Sequence, residues 1–272
     1  MESHVIEVLL LSGLAGLATG LGGLLVLLRR PSRRFCAFCM GFAAGIMLLL
    51  SFLELMIESI EISGILVAAA GFVGGSLTMF TLDSLLPHTR FAVIEKGVID
   101  GRLFRAGILI AIGISLHNFP EGLAVAMGYE HMPKLGLLLA IAIGIHNIPE
   151  GMATALPIYV AGASRLTALM WAVGSGLAEP LGALISVLFL EHFPDLVPIG
   201  LAFAAGVMVF ITIDELIPTG KSFVRRPHRR RHRGGQDRKE YQQILGHEHY
   251  TSLGLIAGSI VTFGLLAVLQ MV

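Results

Sequence analysis

The chain has 272 residues, 55% of them hydrophobic and only 14% charged. Soluble domains run near ~25% charged, so this composition excludes a chain that turns most of itself to water. Net charge is zero, but the basic residues are distributed unevenly, and the 33 glycines suit helices packed closely in lipid.

Eight apolar stretches reach the roughly 20 residues that a bilayer crossing needs. In chain order they cover 6–28, 35–57, 64–86, 104–128, 134–160, 166–190, 196–217 and 250–271. They predict an all-α integral membrane protein, a single membrane domain over 1–272. Glu2 and Glu7 stand where a cleaved leader would be basic, so the first stretch is expected to be a permanent span. The second opens on Cys36-Ala37-Phe38-Cys39. That is metal-ligand spacing, but two thiols do not complete a zinc site, and free buried or interfacial thiols are expected. Glu54 falls near the outer end of the second span. Asp83 and His88 fall near the inner end of the third. The fourth and fifth spans hold His117-Asn118-Phe119-Pro120-Glu121-Gly122 and His146-Asn147-Ile148-Pro149-Glu150-Gly151. The sixth carries Glu179, and the seventh ends on Asp214 and Glu215.

A basic loop, 218–249, precedes the eighth span and contains His228, His232, His247 and His249. Its arginines suit anionic headgroups, and a loop tethered to a membrane is a poor nucleic-acid binder. Among its histidines, His247 and His249 stand clear of the arginines and are the better candidates for capturing a released cation. Gly220-Lys221-Ser222 imitates the end of a phosphate loop, but Glu215 occupies the required first glycine. No nucleotide partner is expected, and gradients must drive any transport. Connections 1–2, 3–4, 5–6 and 7–8 hold eighteen of the 19 lysines and arginines; only Lys134 lies opposite. The positive-inside rule places those loops in the cytoplasm and both termini outside. A plasma-type cell membrane is the expected location.

Two internal repeats are visible. Phe42-Ala43-Ala44-Gly45-Ile46-Met47 returns as Phe203-Ala204-Ala205-Gly206-Val207-Met208, and the register continues to match Glu54 with Glu215. Gly16-Leu17-Ala18-Thr19-Gly20-Leu21-Gly22 aligns with Gly176-Leu177-Ala178-Glu179-Pro180-Leu181-Gly182. Spans 1–3 thus match spans 6–8. The offset of five spans is odd, so the copies cross in opposite directions around the pair 4–5. Inverted repeats with polar groups between them mark transporters.

Six intramembrane polar groups in matched register point to an ion site, because each is costly in hydrocarbon. Residues four apart share a helix face, which makes His117 and Glu121 neighbours, and likewise His146 and Glu150. Asn118 and Asn147 sit beside those glutamates. Pro120 and Pro149 free the carbonyls of Leu116 and Ile145, and freed carbonyls inside a bundle can ligate a cation or a water. Two imidazoles and two carboxylates suit one Zn²⁺, Fe²⁺, Mn²⁺ or Co²⁺, with no thiolate to trap it. Asn118, Asn147 and Glu179 offer a weaker second position that shares Glu121 and Glu150. Two ions there carry +4 against three carboxylates, so the second is expected to bind weakly.

These residues resemble the ZIP family of divalent metal transporters, in its bacterial zinc-uptake branch. The paired hexapeptides, the glutamate after Ser175-Gly176-Leu177-Ala178 and the Phe-Ala-Ala-Gly-Ile-Met stretch all match, over nearly the whole membrane part. The resemblance implies eight spans, outside termini, inward movement of zinc or another divalent ion (iron, manganese, cobalt, cadmium), and a homodimer. It implies a central site of His117, Glu121, His146 and Glu150, with Asn118, Asn147 and Glu179 at the neighbouring position. It also implies an exit station from Asp83, His88, Asp214 and Glu215, with Glu54 as a weaker outer ligand. No resident cofactor is implied. A metallohydrolase needs an open metal position and a spare base, and neither is singled out here. A metal-gated channel or sensor would use the same ligands.

Overall fold

The structure is a computed structural model that describes residues 2–85, 101–190, 192–224 and 237–271. His88, His228 and His232 lie outside them. The described residues form eleven α-helices with a few π and 3₁₀ turns: α1 Glu2–Leu28, α2 Arg33–Leu50, α3 Met56–Ser63, α4 Ile65–Leu85, α5 Gly101–His131, α6 Pro133–Val160, α7 Arg165–Gly176, α8 Ala178–Leu190, α9 Val197–Ile211, α10 Ile217–Val224 and α11 Asp237–Met271. Eight helical spans are long and apolar enough to cross a membrane: Val5–Leu28, Arg33–Ser63, Ile65–Ser84, Gly107–His131, Pro133–Val160, Arg165–Phe189, Val197–Phe223 and His249–Val268. The protein is a multi-pass membrane protein.

Spans 2 and 7 run further than hydropathy alone suggests, because charged groups sit on helix that continues past the apolar stretch. Span 2 is α2 and α3 joined through a π turn, Ser51–Leu55; span 7 is α9 and α10 joined through another, Thr212–Leu216. Both π turns begin at a buried hydroxyl. Ser51 Oγ donates to the Met47 carbonyl and Thr212 Oγ1 to the Met208 carbonyl, each at 2.7 Å. Such back-bonding to the i−4 carbonyl competes with the backbone ladder and bends helices. Gly64 alone separates α3 from α4. Its φ of 82° and ψ of 163° suit a residue without Cβ.

The spans sort into two four-helix bundles. Spans 1, 4, 5 and 6 pack on one another, as do spans 2, 3, 7 and 8; span 4 meets span 7, and span 5 meets span 2, across the boundary. The repeat relation holds in the packing. Gly45 abuts the Leu255 carbonyl of span 8, and Gly206 abuts the Phe72 carbonyl of span 3. Gly16 and Gly176 each press on the other's carbonyl. Gly22 lies on Ile148 of one hexapeptide and Gly182 on Phe119 of the other. Contacts this close need glycine, since any Cβ would occupy the carbonyl oxygen's space.

Candidate metal centre

The two hexapeptides meet where α5 crosses α6, near the middle of the first bundle. The approach is set by glycine. Gly122 lies against the Glu179 carbonyl, and Gly151 against the Thr19 carbonyl. Both helices run unbroken through Pro120 and Pro149. Span 6 is interrupted at Leu177, between α7 and α8. A proline removes one donor but leaves helical φ intact, and packed neighbours hold the helix on course. The break in span 6 places Glu179 in the first turn of α8, where exposed backbone N–H groups favour an anion.

All seven candidates are buried: His117 is 1% exposed, and Asn118, Glu121, His146, Asn147, Glu150 and Glu179 are 0% exposed. Glu121, His146 and Glu150 offer ligand atoms all within 4.8 Å of one another. His146 Nδ1 lies 3.1 Å from the Ala142 carbonyl, so it carries the proton and donates it there. Its Nε2 lies 3.1 Å from Glu121 Oε1, a spacing that a shared proton or a cation between the two would satisfy. A backbone carbonyl that fixes the histidine tautomer is a common support for metal ligands.

The asparagines are oriented alike. Asn118 Nδ2 donates to the Ser175 carbonyl and Asn147 Nδ2 to the Ala15 carbonyl, both at 3.0 Å. Ser175 and Ala15 are repeat mates. Each amide therefore spends its donor on an outer helix and keeps its oxygen for the centre. Asn147 also donates to the Glu179 carboxylate. Six buried oxygens here meet no protein donor: Asn118 Oδ1, Asn147 Oδ1, Glu121 Oε2, both of Glu150, and Glu179 Oε2. A buried acceptor without a partner costs about 1–3 kcal/mol, and more when charged. A divalent cation satisfies several oxygens at once, so the donor set fits a metal of the imidazole-and-carboxylate class.

His117 has a different neighbour. Its Nε2 faces Glu215 Oε2 at 3.8 Å, and it lies outside the Glu121–His146–Glu150 group. Glu215 stands on the π turn of span 7, which re-aims its carboxylate towards the helix face that carries Gly113 and His117. Asp83 is half-buried and Asp214 exposed, both within electrostatic reach of Glu215. Glu54 is half-buried on the other π turn, near Glu58. Cys36 and Cys39 are buried free thiols, and His249 is exposed at the start of span 8. Thr19 was not singled out as a site residue. It is buried with no partner for its hydroxyl and occupies the position that matches Glu179, which the repeat alignment already signalled.

A family model described as ZIP Zinc transporter matches residues 92–266. The chain is 42% identical to a zinc transporter ZupT of Corynebacterium efficiens, over 81% of this chain and 89% of the relative. It is 36% identical to the zinc transporter ZupT of Akkermansia muciniphila over 95% and 96%, and 43% identical to that of an Enterobacter species over 78% and 86%.

Proposed function

The chain belongs to the ZIP family of zinc transporters, and on that premise we propose that it carries Zn²⁺ into the cytoplasm through the buried centre where α5 crosses α6. The observation that carries this reading is the convergence of Glu121, His146 and Glu150, ringed by oxygens that no protein donor reaches. The ion is cargo. Glu121 and Glu150 neutralise it, and His146 Nε2 adds a strong neutral ligand. His117 sits between this group and Glu215, able to pass the ion towards Asp83 and Asp214. Asn118, Asn147 and Glu179, with the shared glutamates, form the second, weaker position of a binuclear site. Fe²⁺, Mn²⁺, Co²⁺ and Cd²⁺ suit the same ligands.

Alternating access follows from the inverted bundles. If the first bundle moves against the second, the centre changes the π-turn carboxylate it faces, from Glu215 on one side to Glu54 on the other. The basic loops lie in the cytoplasm, both termini lie outside, and two copies pair as a homodimer. The transport reading is preferred to hydrolysis because the relatives carry transporter names and no carboxylate at the centre is spare.

The test is zinc uptake into proteoliposomes, wild type against His117→Ala/His146→Ala, with iron, manganese, cobalt and cadmium as competitors. Saturable uptake that the double variant loses is the expected result, and counterflow identifies a carrier. Zinc binding without uptake in the wild type would overturn the transport reading in favour of a sensor.

A further inference from the structure

A second binding feature lies at the arginine-rich end of the molecule. Residues 29–32 link span 1 of the first bundle to span 2 of the second. Beside this linker is a groove of about 540 Å³, within the range of small-ligand sites. Its apolar wall is Leu25, Phe35 and Met152; Arg29, Arg30 and Ser32 form its polar rim. Leu25 and Phe35 are 48% and 52% exposed, so the groove opens sideways onto the surface that faces lipid. A second cavity of about 530 Å³ between the bundles shares Arg30 and adds Arg33.

The Arg30 guanidinium lies 4.9 Å from the centroid of the Tyr159 ring, a cation–π contact, and Arg29 shares the rim of the same groove. Among the described residues, no carboxylate forms an ion pair with Arg29, Arg30, Arg33 or Arg165. Like charges on the rim of an apolar groove call for an anion that carries its own apolar body. A guanidinium pair matches a phosphate diester through paired hydrogen bonds. A free anion would leave Leu25 and Phe35 uncovered, and a neutral lipid would leave the arginines uncompensated.

We propose that this groove binds one anionic phospholipid, with its phosphate on Arg29 and Arg30 and an acyl chain along Leu25 and Phe35 down to Met152. Met152 follows Glu150 by two residues on α6, and the linker joins the two bundles. The bound lipid therefore braces the point about which the bundles move and touches the helix that carries the ion. The effect on uptake rests on the transport reading; the binding does not.

Native mass spectrometry of the purified full-length protein, with phosphatidylglycerol and phosphatidylcholine in competition, measures binding alone. One retained phosphatidylglycerol, preferred roughly tenfold or more, is expected for the wild type. Arg29→Gln/Arg30→Gln should remove the preference. Leu25→Trp, which fills the groove and keeps both arginines, should remove it too. Arg225→Gln/Arg226→Gln, which lowers the charge of the basic loop by the same amount, should keep it. Equal retention of both lipids, equal loss in the loop variant, or displacement by inorganic phosphate would each overturn the proposal. In vesicles, zinc uptake should rise with phosphatidylglycerol content for the wild type and stay flat for Arg29→Gln/Arg30→Gln. A parallel rise in both would remove the link to transport while binding stood on its own result.

Discussion

The two hexapeptide helices have the same backbone surroundings and different electrostatic ones. Gly122 and Gly151 rest on carbonyls of repeat-related residues, and Asn118 and Asn147 donate to repeat-related carbonyls. The side-chain partners then diverge. Glu179 stands beside one half and Thr19 beside the other. His146 meets Glu121, whereas His117 meets Glu215. Glu54, the repeat mate of Glu215, forms no described ion pair with either histidine. The Glu179/Thr19 difference is chemical and permanent. The Glu215/Glu54 difference is positional, between two similar carboxylates on two similar π turns, and it is the difference that the alternating access proposed above would reverse.

The sharpest way to break this comparison is at the shared carboxylates. Glu121→Ala and Glu150→Ala should each lower proteoliposome zinc uptake by about 100-fold or more, with the protein still inserted, because each removes a direct ligand and leaves the other charges unbalanced. A large inequality between them would show that the halves do not share the ion. Next come the glycines. Gly122→Ala and Gly151→Ala each drive a Cβ into a backbone carbonyl, so each should cost about 1–3 kcal/mol. Thermal unfolding in detergent should show matching falls of roughly 2–4 °C per kcal/mol; a loss at only one position would deny the structural equivalence.

Smaller effects sharpen the asymmetric part. Glu179→Ala and Asn118→Ala should reduce uptake about tenfold or less and alter the ranking of competing metals, since the proposed second position takes both as ligands. An unchanged ranking would argue for a single ion. Glu215→Gln should lower maximal rate, while Glu54→Gln should raise the KM for external zinc by a few-fold; identical kinetic signatures would contradict opposite-facing roles. The smallest effect is expected at the outer rim, where His131 contacts Glu58 across the bundle boundary. Partly exposed ion pairs contribute about 0–1 kcal/mol, so His131→Gln should change uptake by about fivefold at most.

Much of this was legible in order along the chain. Eight spans follow from hydropathy, because hydrocarbon tolerates only long apolar helices. The hexapeptides declare themselves because His117 with Glu121, and His146 with Glu150, are expensive at that depth and share a helix face through i, i+4 spacing. The alignment of Gly16 with Gly176 was the weaker repeat by sequence, yet those two glycines face each other in the fold. Proline's local cost does not say whether neighbours will hold a helix straight: α5 and α6 run on through Pro120 and Pro149, whereas span 6 breaks at Leu177, in the turn before Pro180.

What the sequence by itself determined is the set of groups placed in the membrane, their spacing on each helix and their inverted repetition, since these depend on transfer energies and helical period alone. Only the tertiary structure decided which groups meet. Glycine contacts set how closely α5, α6, α1 and the α7–α8 pair approach, and two hydroxyl-bent π turns aim Glu54 and Glu215. Partnerships such as His117 with Glu215, or Asn147 with Glu179, join residues 98 and 32 apart. They rest on shape complementarity between whole helices, which no local pattern encodes.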